Sequence, residues 1–462
     1  MLQRVQLGRG RARSDHLRSR EYRSGRVIDI KILRNQPELI KAAVQNKGSP
    51  VDLDLVIKLD REHVALQRQV EELRTERNRL SAAMKSGKPE PGMVADARGL
   101  RENLAKLETE LDAAKATFLA EFKKVPNIPT DDTPLGLSEE ENQVVRIWGS
   151  PPEFKFAPKN HYEISLHHGW IDKQRAAKVA GARFAYLKGD LVRLQFALIG
   201  WVLDKLADEA FLRDIITEAK LGVSAKPFLP VLPPYMIRTN IYDAMDRLEP
   251  ADERYRIEGG DQWLQGSAEH VLGSMHADEI FEEKDMPIRY IGYATSFRRE
   301  AGAAGKDMEG IIRLHQFDKL EMESFSTKET SHEEHLLFSA IQERFMQLLE
   351  IPYRKLQKCT YDIGKPNAKG SDIEAWLPAQ EKYRETHTAD YMTDYQARRL
   401  GTRVRRSDGQ VEYVHTNDAT AFACGRALVA IIENFQNADM SVRIPAQLHS
   451  YMGGRQTLGR QG

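Results

Sequence analysis

Between Val56 and Met84, seam residues recur at alternating steps of three and four: Val56, Leu59, His63, Leu66, Val70, Leu73, Arg77, Leu80 and Met84. That spacing is the contact stripe of a long helix lying on a partner helix, with His63 and Arg77 as two polar interruptions. Gly87, Pro89, Pro91 and Gly92 break it, and a second stripe follows through Leu100, Leu104, Leu107, Leu111, Ala114 and Phe118. Two stripes around a short break predict an antiparallel helical hairpin, a rod on the order of 45 Å long at about 30 residues per arm. A rod this thin cannot enclose a buried active site, so the chemistry must lie elsewhere. Its surface alternates Arg61, Arg68, Arg74 and Arg79 with Glu62, Glu71, Glu72 and Glu76. By itself that describes a solvated coil, a spacer or a dimerisation element.

The 462 residues leave room for two to three domains at about 150 residues each. Lys+Arg 68 and Asp+Glu 68 cancel, so no global field draws the chain to nucleic acid, and any such contact must use local patches. The longest apolar stretch, around Phe196 to Leu203, is far too short to span a bilayer. Two cysteines, Cys359 and Cys424, cannot build a disulfide framework or a cysteine-rich zinc site, and their scarcity fits a reducing, cytoplasmic setting. Residues 1–26 carry eight arginines against Asp15 and Glu21. Three readings of this leader are open: a disordered basic tail that touches RNA, an organellar transit peptide, or translated upstream sequence ahead of a start near Val27. The abrupt onset of patterning at Val27-Ile28-Asp29-Ile30 favours the third.

Val125 to Glu141, rich in Pro, Asp, Thr and Gly, reads as a linker. Beyond it, helical patterns at Asp190 to Glu209 and Ser331 to Leu349 mix with β-runs at Ile288 to Thr295, Ile311 to His315 and Lys319 to Ser324. The expected class is α+β: the helical arm followed by a domain on an antiparallel sheet flanked by helices. Neither a P-loop nor a dinucleotide-binding glycine fingerprint is present. Functional polarity concentrates in Phe297-Arg298-Arg299-Glu300-Ala301-Gly302-Ala303-Ala304-Gly305-Lys306-Asp307, followed by Ile311-Ile312-Arg313-Leu314-His315-Gln316-Phe317. Two β-runs around a glycine-punctuated loop predict a hairpin with Arg, Lys and Asp at its tip. Arg298 and Glu300 would share a face and Arg299 would point away. An ordinary surface hairpin with salt bridges has the same pattern.

That segment resembles motif 2 of class II aminoacyl-tRNA synthetases, in the Phe-Arg-x-Glu-Ala-Gly…His-Gln-Phe form found in seryl-tRNA synthetases. The other two class II motifs fall in order. Phe228-Leu229-Pro230-Val231-Leu232-Pro233-Pro234 resembles motif 1, which forms the dimer interface in the family, and Ala423-Cys424-Gly425-Arg426 through Glu433 resembles motif 3. The helical hairpin matches the family's N-terminal arm, so the resemblance runs from about Val27 to Gly454. After the basic leader at 1–26, it implies a tRNA-binding domain with its arm at 27–130 and a catalytic domain at 131–462. It further implies a homodimer that attaches serine to tRNA(Ser) through a seryl-adenylate, serving tRNA(Sec) where present, with ATP and Mg²⁺ and no zinc. A ligase acting on a carrier protein and a non-catalytic RNA-binding paralogue are the alternatives; such carrier-protein relatives lack the arm.

The resemblance assigns roles residue by residue. Arg298 would hold the ATP α-phosphate and the substrate carboxylate, and Glu300 would read the adenine amino group. Phe317 would lie under the adenine and Arg426 over its other face near the γ-phosphate, with Arg313 a second terminal-phosphate contact. Glu385 would hold Mg²⁺ between phosphates. Arg299, Thr386, His387 and Thr388 complete the expected ATP surroundings. At the serine end, Ser267-Ala268-Glu269 stands where the family has Thr-Ala-Glu, with Glu269 facing the ammonium, and Glu321 and Thr420 would grip ammonium and hydroxyl. The chain departs from the family in two places. Glu385-Thr386-His387-Thr388-Ala389-Asp390-Tyr391 replaces Glu-Ile-Ser-Ser-Cys-Ser-Asn, and Asn417-Asp418-Ala419-Thr420-Ala421 replaces Leu-Asn-Gly-Ser-Gly. Asp418 thus puts a carboxylate where an amide is usual, able either to orient Thr420 or to repel Glu321. Ala219 to Lys226 looks longer than the usual link into motif 1. His387 and His415 read as polar pocket lining, Cys424 as a small buried residue, and Trp201, Trp263 and Trp376 as packing.

Overall fold

The computed structural model describes residues 27–85, 91–300 and 309–459. The basic leader and the expected hairpin tip at Ala301 to Asp307 lie outside the described residues. Helices α1 (Ile30–Asn35) and α2 (Pro37–Asn46) precede the arm, α3 (Leu53–Lys85) and α4 (Pro91–Phe122). Asp29 caps α1 by accepting from the Lys31 amide, and Pro37 and Pro91 open their helices where no backbone donor is needed. Every residue of the two predicted stripes is buried or half-buried. The His63 ring stacks on Phe118 and Arg74 pairs with Glu108 at 2.8 Å, a rising number opposite a falling one, so the arms run antiparallel. At about 1.5 Å per residue the arm is close to 50 Å long.

The arm's base is fixed to the rest of the chain. Val56, Phe118, Phe122 and Val125 share one buried cluster with Tyr395. Lys47 Nζ donates to the carbonyls of Gly364, Lys365 and Asn367. The stretch read as a linker is bound along its start: the Asn127 and Thr130 amides donate to the carbonyls of Lys365 and Ala368, and the Asn127 side chain reaches those of Pro366 and Met392. Its turn-forming composition marks a segment without helix or strand, which is not the same as a free one.

Eight strands form the main sheet: β1 (Gln143–Trp148), β2 (Leu229–Val231), β3 (Ile288–Phe297), β4 (Gln316–Ser326), β5 (Tyr353–Gln357), β6 (Lys369–Leu377), β7 (Lys382–Thr393) and β8 (His415–Ala423). Their order is β1-β5-β6-β7-β8-β4-β3-β2, antiparallel throughout except that β2 runs parallel to β3. One face is covered by the helices Asp190–Ala207, Ser331–Leu348 and Cys424–Asn434, which bury Trp201, Phe338, Phe345 and Leu428 against Leu320, Ile373 and Phe422. Trp201, Phe345 and Phe422 touch ring to ring. Trp201 and Trp263 are buried and Trp376 lies edge-on to Tyr383, so all three are packing residues. Cys424 is buried too, and burial pushes its thiol pKa up.

Two expectations fail. Ile311 to His315 is not a strand; β4 begins only at Gln316. Gly310 has φ +65°, and a side chain there would meet His161 Nε2 at 1.8 Å, so the chain turns tightly over His161, which is itself paired with Glu433 at 3.0 Å. And β3 ends at Phe297, one residue before Arg298, so strand alternation does not govern Arg298, Arg299 and Glu300.

The long link at Ala219 to Lys226 has a structural role. Arg289 on β3 donates to Glu334 through Nε at 2.8 Å and to the Lys226 carbonyl through Nη1 at 2.7 Å, while its guanidinium lies over Phe228. Gly222 donates its amide to Glu333. The ion pair is fully buried on both sides. Removing one partner of such a pair strands the other charge, so Arg289→Met should lower the unfolding free energy by about 3–5 kcal/mol in urea titrations. Arg289→Met with Glu334→Leu should recover most of that loss; a single variant within 1 kcal/mol of the parent would refute the role, by the same estimate.

Candidate active site

On the other face of the sheet, part of which packs against Ala268, Leu272 and Ala397, β4, β7 and β8 floor a cavity of about 240 Å³. Alternation along β4 brings Phe317, Lys319 and Glu321 to this face. On β7 the pairing slips between Ile373 and Glu374, which leaves Thr386 as an extra residue. The bulge shifts the strand's phase: Glu385 joins Thr388 and Asp390 at the cavity, and His387 falls on the opposite face. There His387 packs edge-on to Phe422 at 4.8 Å and meets the Thr386 hydroxyl at 2.8 Å. Burial drives its pKa down to about 3, so it is neutral. His387 is therefore core, and neither its expected ATP contact nor its reading as pocket lining is supported by where it sits. A second slip, at Ala421 on β8, puts Asp418, Thr420 and Ala423 on the cavity side and Phe422 beneath.

At the nucleotide end, Arg298 donates through Nε to the Gly266 carbonyl at 2.9 Å and lays its guanidinium over Phe317, 5.4 Å from the ring centre. The ring expected to face adenine thus carries Arg298. Arg426, expected over its other face, is held by the backbone and carboxylate oxygens of Glu385 at 2.7 and 2.9 Å. Glu300, at φ +52°, pairs with Arg313 and accepts from Arg183 through its carbonyl. At Gly425 a side chain would sit tightly against the Ile311 carbonyl, at 3.2 Å. Arg299 is exposed and does not line the cavity.

At the other end Lys319 is the hub. Its ammonium lies 2.7 Å from Glu321, 3.0 Å from the Ser267 hydroxyl and 3.8 Å from Glu269. Burial works against that ammonium, yet Glu269 and Glu321 hold its pKa above the ordinary lysine value. Glu269 is likewise held well below the usual carboxylate range, against burial, by Lys319, His270 and Arg247. Glu321 goes the other way: burial raises it well above normal despite Lys319. Thr420 Oγ1 approaches Glu321 at 3.5 Å. Ser267 reaches the cavity through Lys319 and Glu269, and Ala268 belongs to an apolar cluster with Leu272 and Tyr290.

Asp418 does not lean on Glu321 or Thr420 alone. Its Oδ2 accepts from Arg247 Nη2 at 3.3 Å, and the same nitrogen lies 3.9 Å from Asp390. Burial, with Asp390 and Glu269 close by, pushes the Asp418 carboxyl up to about 8 against the pull of Arg247. Sequence reasoning missed Lys319, Asp390 and Arg247 as site residues. The first two sit two residues from Glu321 and Thr388 on their strands, so alternation alone could have found them. Arg247 comes from a loop after the helix Thr239–Ala244, and no periodicity marks it. His415 is likewise no ligand; it bonds the Ser331 hydroxyl at 2.8 Å beside Tyr391.

A charged floor beside a stacked aromatic, with arginines at one end and carboxylates around an ammonium at the other, suits a substrate with an anionic and an amino-bearing part. Residues 255–435 match the family model described as the tRNA synthetase class II core domain (G, H, P, S and T), and residues 27–129 match the seryl-tRNA synthetase N-terminal domain. The chain is 37% identical to a serine–tRNA ligase of Dictyoglomus turgidum over 92% of its own length and 98% of that protein's. It is 38% identical to one of Methanoculleus marisnigri over 94% and 100%. Among solved structures, seryl-tRNA synthetase from Pyrococcus horikoshii complexed with ATP matches 94% of this chain and 100% of its own at TM-score 0.85 and 37% identity. The cytoplasmic serine–tRNA ligase of Naegleria fowleri in complex with AMP covers 94% and 99% at TM-score 0.80 and 27% identity.

Proposed function

This chain belongs to the seryl-tRNA synthetase family of class II aminoacyl-tRNA synthetases, and we propose that it charges tRNA(Ser) with serine in two steps through a seryl-adenylate, serving tRNA(Sec) as well where that tRNA exists. The observation that carries this reading is the division of one cavity into an arginine-and-aromatic end, with Arg298, Phe317, Arg313 and Arg426, and a hydroxyl-and-carboxylate end, with Thr420, Glu321 and Glu269. Serine carboxylate attacks the ATP α-phosphorus, releasing diphosphate, and the tRNA 3′-terminal hydroxyl then attacks the carbonyl of the seryl-adenylate, taking the seryl group and releasing AMP. Arg298 has its Nε occupied by Gly266, which leaves its two terminal nitrogens to bridge phosphate and carboxylate. Glu300 reads adenine, and Arg426 and Arg313 neutralise the departing phosphates. No protein nucleophile is needed, since positioning and charge stabilisation supply the rate.

Mg²⁺ fits this site only in part-protein form. Among the described residues no cluster of three His, Cys, Asp or Glu could cage a metal. Glu385, half-exposed at the cavity beside Arg426, offers the single hard carboxylate that such an ion takes when phosphates complete its shell. Bound there, the ion would neutralise phosphate charge while Arg426 keeps Glu385 in place.

The arm, standing clear of the cavity, is assigned to the tRNA by shape and backbone contacts. A homodimer through the region of Pro233 is supported by the exposed Leu229 and Leu232 on and beside the edge strand β2, which a second copy would cover. A cytoplasmic setting is supported by the buried free thiols of Cys359 and Cys424. Among the described residues no helix is long and apolar enough to cross a membrane. A carrier-protein ligase has no use for the arm, and a non-catalytic paralogue has no need of an intact arginine end.

Amino-acid-dependent ATP–diphosphate exchange tests the reading. Serine should exceed alanine and glycine by on the order of 10⁴, because a site built to bond a hydroxyl leaves buried groups unpaired without one. Exchange with serine no faster than with alanine, glycine or threonine would end the serine assignment. Arg298→Ala should slow exchange by about 10²-fold or more, as for a donor aimed at the transition state, whereas Arg299→Ala should change it little. Excising residues 70–111 and closing the arm with a glycine turn keeps Val56, Phe118 and Phe122 at its base. That variant should retain exchange and lose tRNA charging; undiminished charging would refute the arm's role.

A further inference from the structure

Asp418 is among the residues expected to bind serine, but its partners Arg247 and Asp390 have no part in the roles above. Asp390 and Asp418 are direct partners across β7 and β8, so two carboxylates stand side by side on the cavity face, one step along their strands from Thr388 and Thr420. Side by side in a buried setting, two such groups repel. Arg247 is the cation that permits the pair, with Nη2 within 3.3 Å of one and 3.9 Å of the other. Its loop is tied down where Arg254 donates to the Arg247 carbonyl at 3.1 Å. The cluster is also incomplete. Among the described residues Arg247 Nε and Asp390 Oδ1 are buried with no hydrogen-bond partner, and the Thr420 hydroxyl makes only its long contact to Glu321. Buried polar atoms left open around a cavity mark where a polar ligand completes the bonding.

The chemistry of the departures points the same way. An amide at position 418 and a hydroxyl at 390, the residues of the resembling family, need no counter-charge, whereas two aspartates do. The three side chains therefore stand or fall together.

We propose that Arg247 is a positioning residue for the amino-acid substrate: clamped between Asp390 and Asp418, it holds the Asp418 carboxyl beside Thr420, where that carboxyl receives the substrate's side-chain hydroxyl. This rests on the serine reading above and adds to it a specificity device built from a guanidinium and two carboxylates. Arg298 and Phe317, at the nucleotide end, are not part of it.

The test is steady-state ATP–diphosphate exchange on the full chain, with KM for serine, KM for ATP and kcat measured separately. Arg247→Gln should raise KM for serine at least about 30-fold, the effect of leaving a buried charge unpaired, with KM for ATP and kcat within about threefold. Adding Asp390→Ser and Asp418→Asn to Arg247→Gln removes all three charges and should bring KM for serine back to within about tenfold of the parent, a non-additivity expected of groups that act as one. Should Arg247→Gln fail to fold, Arg247→Lys serves: a point charge cannot face both carboxylates, and KM for serine alone should rise. The proposal is overturned by an unmoved KM for serine, by equal rises for serine and ATP, or by a triple variant no better than the single one. Absence of serine-dependent exchange in the unaltered protein would instead overturn the serine reading itself.

Discussion

The site depends on two places where a strand breaks its alternation. In an unbroken β7, Glu385 and His387 would share a face, and in an unbroken β8 so would Thr420 and Phe422. The extra residues at Thr386 and Ala421 prevent this. Upstream of the first, Glu385 is delivered to the cavity beside Arg426; downstream of both, His387 and Phe422 meet in the core. Each bulge interrupts the ladder, and at the first the Thr386 hydroxyl donates to the Ile373 carbonyl at 3.1 Å in partial compensation. Sliding either strand by one residue would bury Glu385 or Thr420 among aromatic rings and put a phenyl group in the cavity.

That division of faces explains how the chain tolerates its charged floor. Glu269, Glu321, Asp390 and Asp418 converge around Lys319 and Arg247, and Glu323 lies behind them with neither carboxylate oxygen bonded among the described residues. Taking each such ion out of water costs several kcal/mol, and imperfect pairing does not return it. Burial drives Glu323 and Glu321 well above the ordinary range, so part of the cost is avoided by neutralisation. The remainder is carried by the opposite face, where Trp201, Phe345 and Phe422 interlock with the long helices. An arrangement that weakens the fold is kept where it meets substrate and not elsewhere.

The arm was fully legible because a repeat of three and four over many turns has one physical meaning, and each stripe residue is at the helix contact. Strands β3 and β4 were legible for a similar reason, though their ends were not: a tight turn at Gly310 over His161 ended what looked like a β-run from Ile311. The roles of Arg298, Glu321 and Thr420 came from a resemblance, and the structure gathers those residues in one cavity. What escaped was of two kinds. His387 was misplaced because a bulge changes phase without changing composition, so nothing in Glu385-Thr386-His387 announces it. Arg247 was invisible because its partners are more than a hundred residues away and its own segment has no period. Asp418, taken alone, read as a choice between two neighbours; its actual partner is a third residue, which only the fold brings near.

The placement of Arg247 also bears on how the arm relates to the cavity. Tyr395 lies just beyond β7, the strand that carries Glu385, Thr388 and Asp390, and its hydroxyl lies within hydrogen-bond distance of two acceptors, the Val125 carbonyl at the arm's base at 3.1 Å and Asp246 at 3.0 Å. Asp246 in turn pairs with Lys365 at 2.6 Å, and the Lys365 carbonyl is one of the three that hold Lys47. The residue next to Asp246 is Arg247. Arg399, in the same short helix as Tyr395, donates to the Ala244 carbonyl and so braces the start of that loop. The contacts that seat the arm and those that seat the Asp390–Asp418 clamp therefore run through one segment, Ala244 to Arg247. Phe317 lies across the cavity on β4, and Arg298 just past the end of β3. β7 itself carries both Glu385, which holds Arg426, and Asp390, so the strand next to the arm's base serves both ends of the cavity.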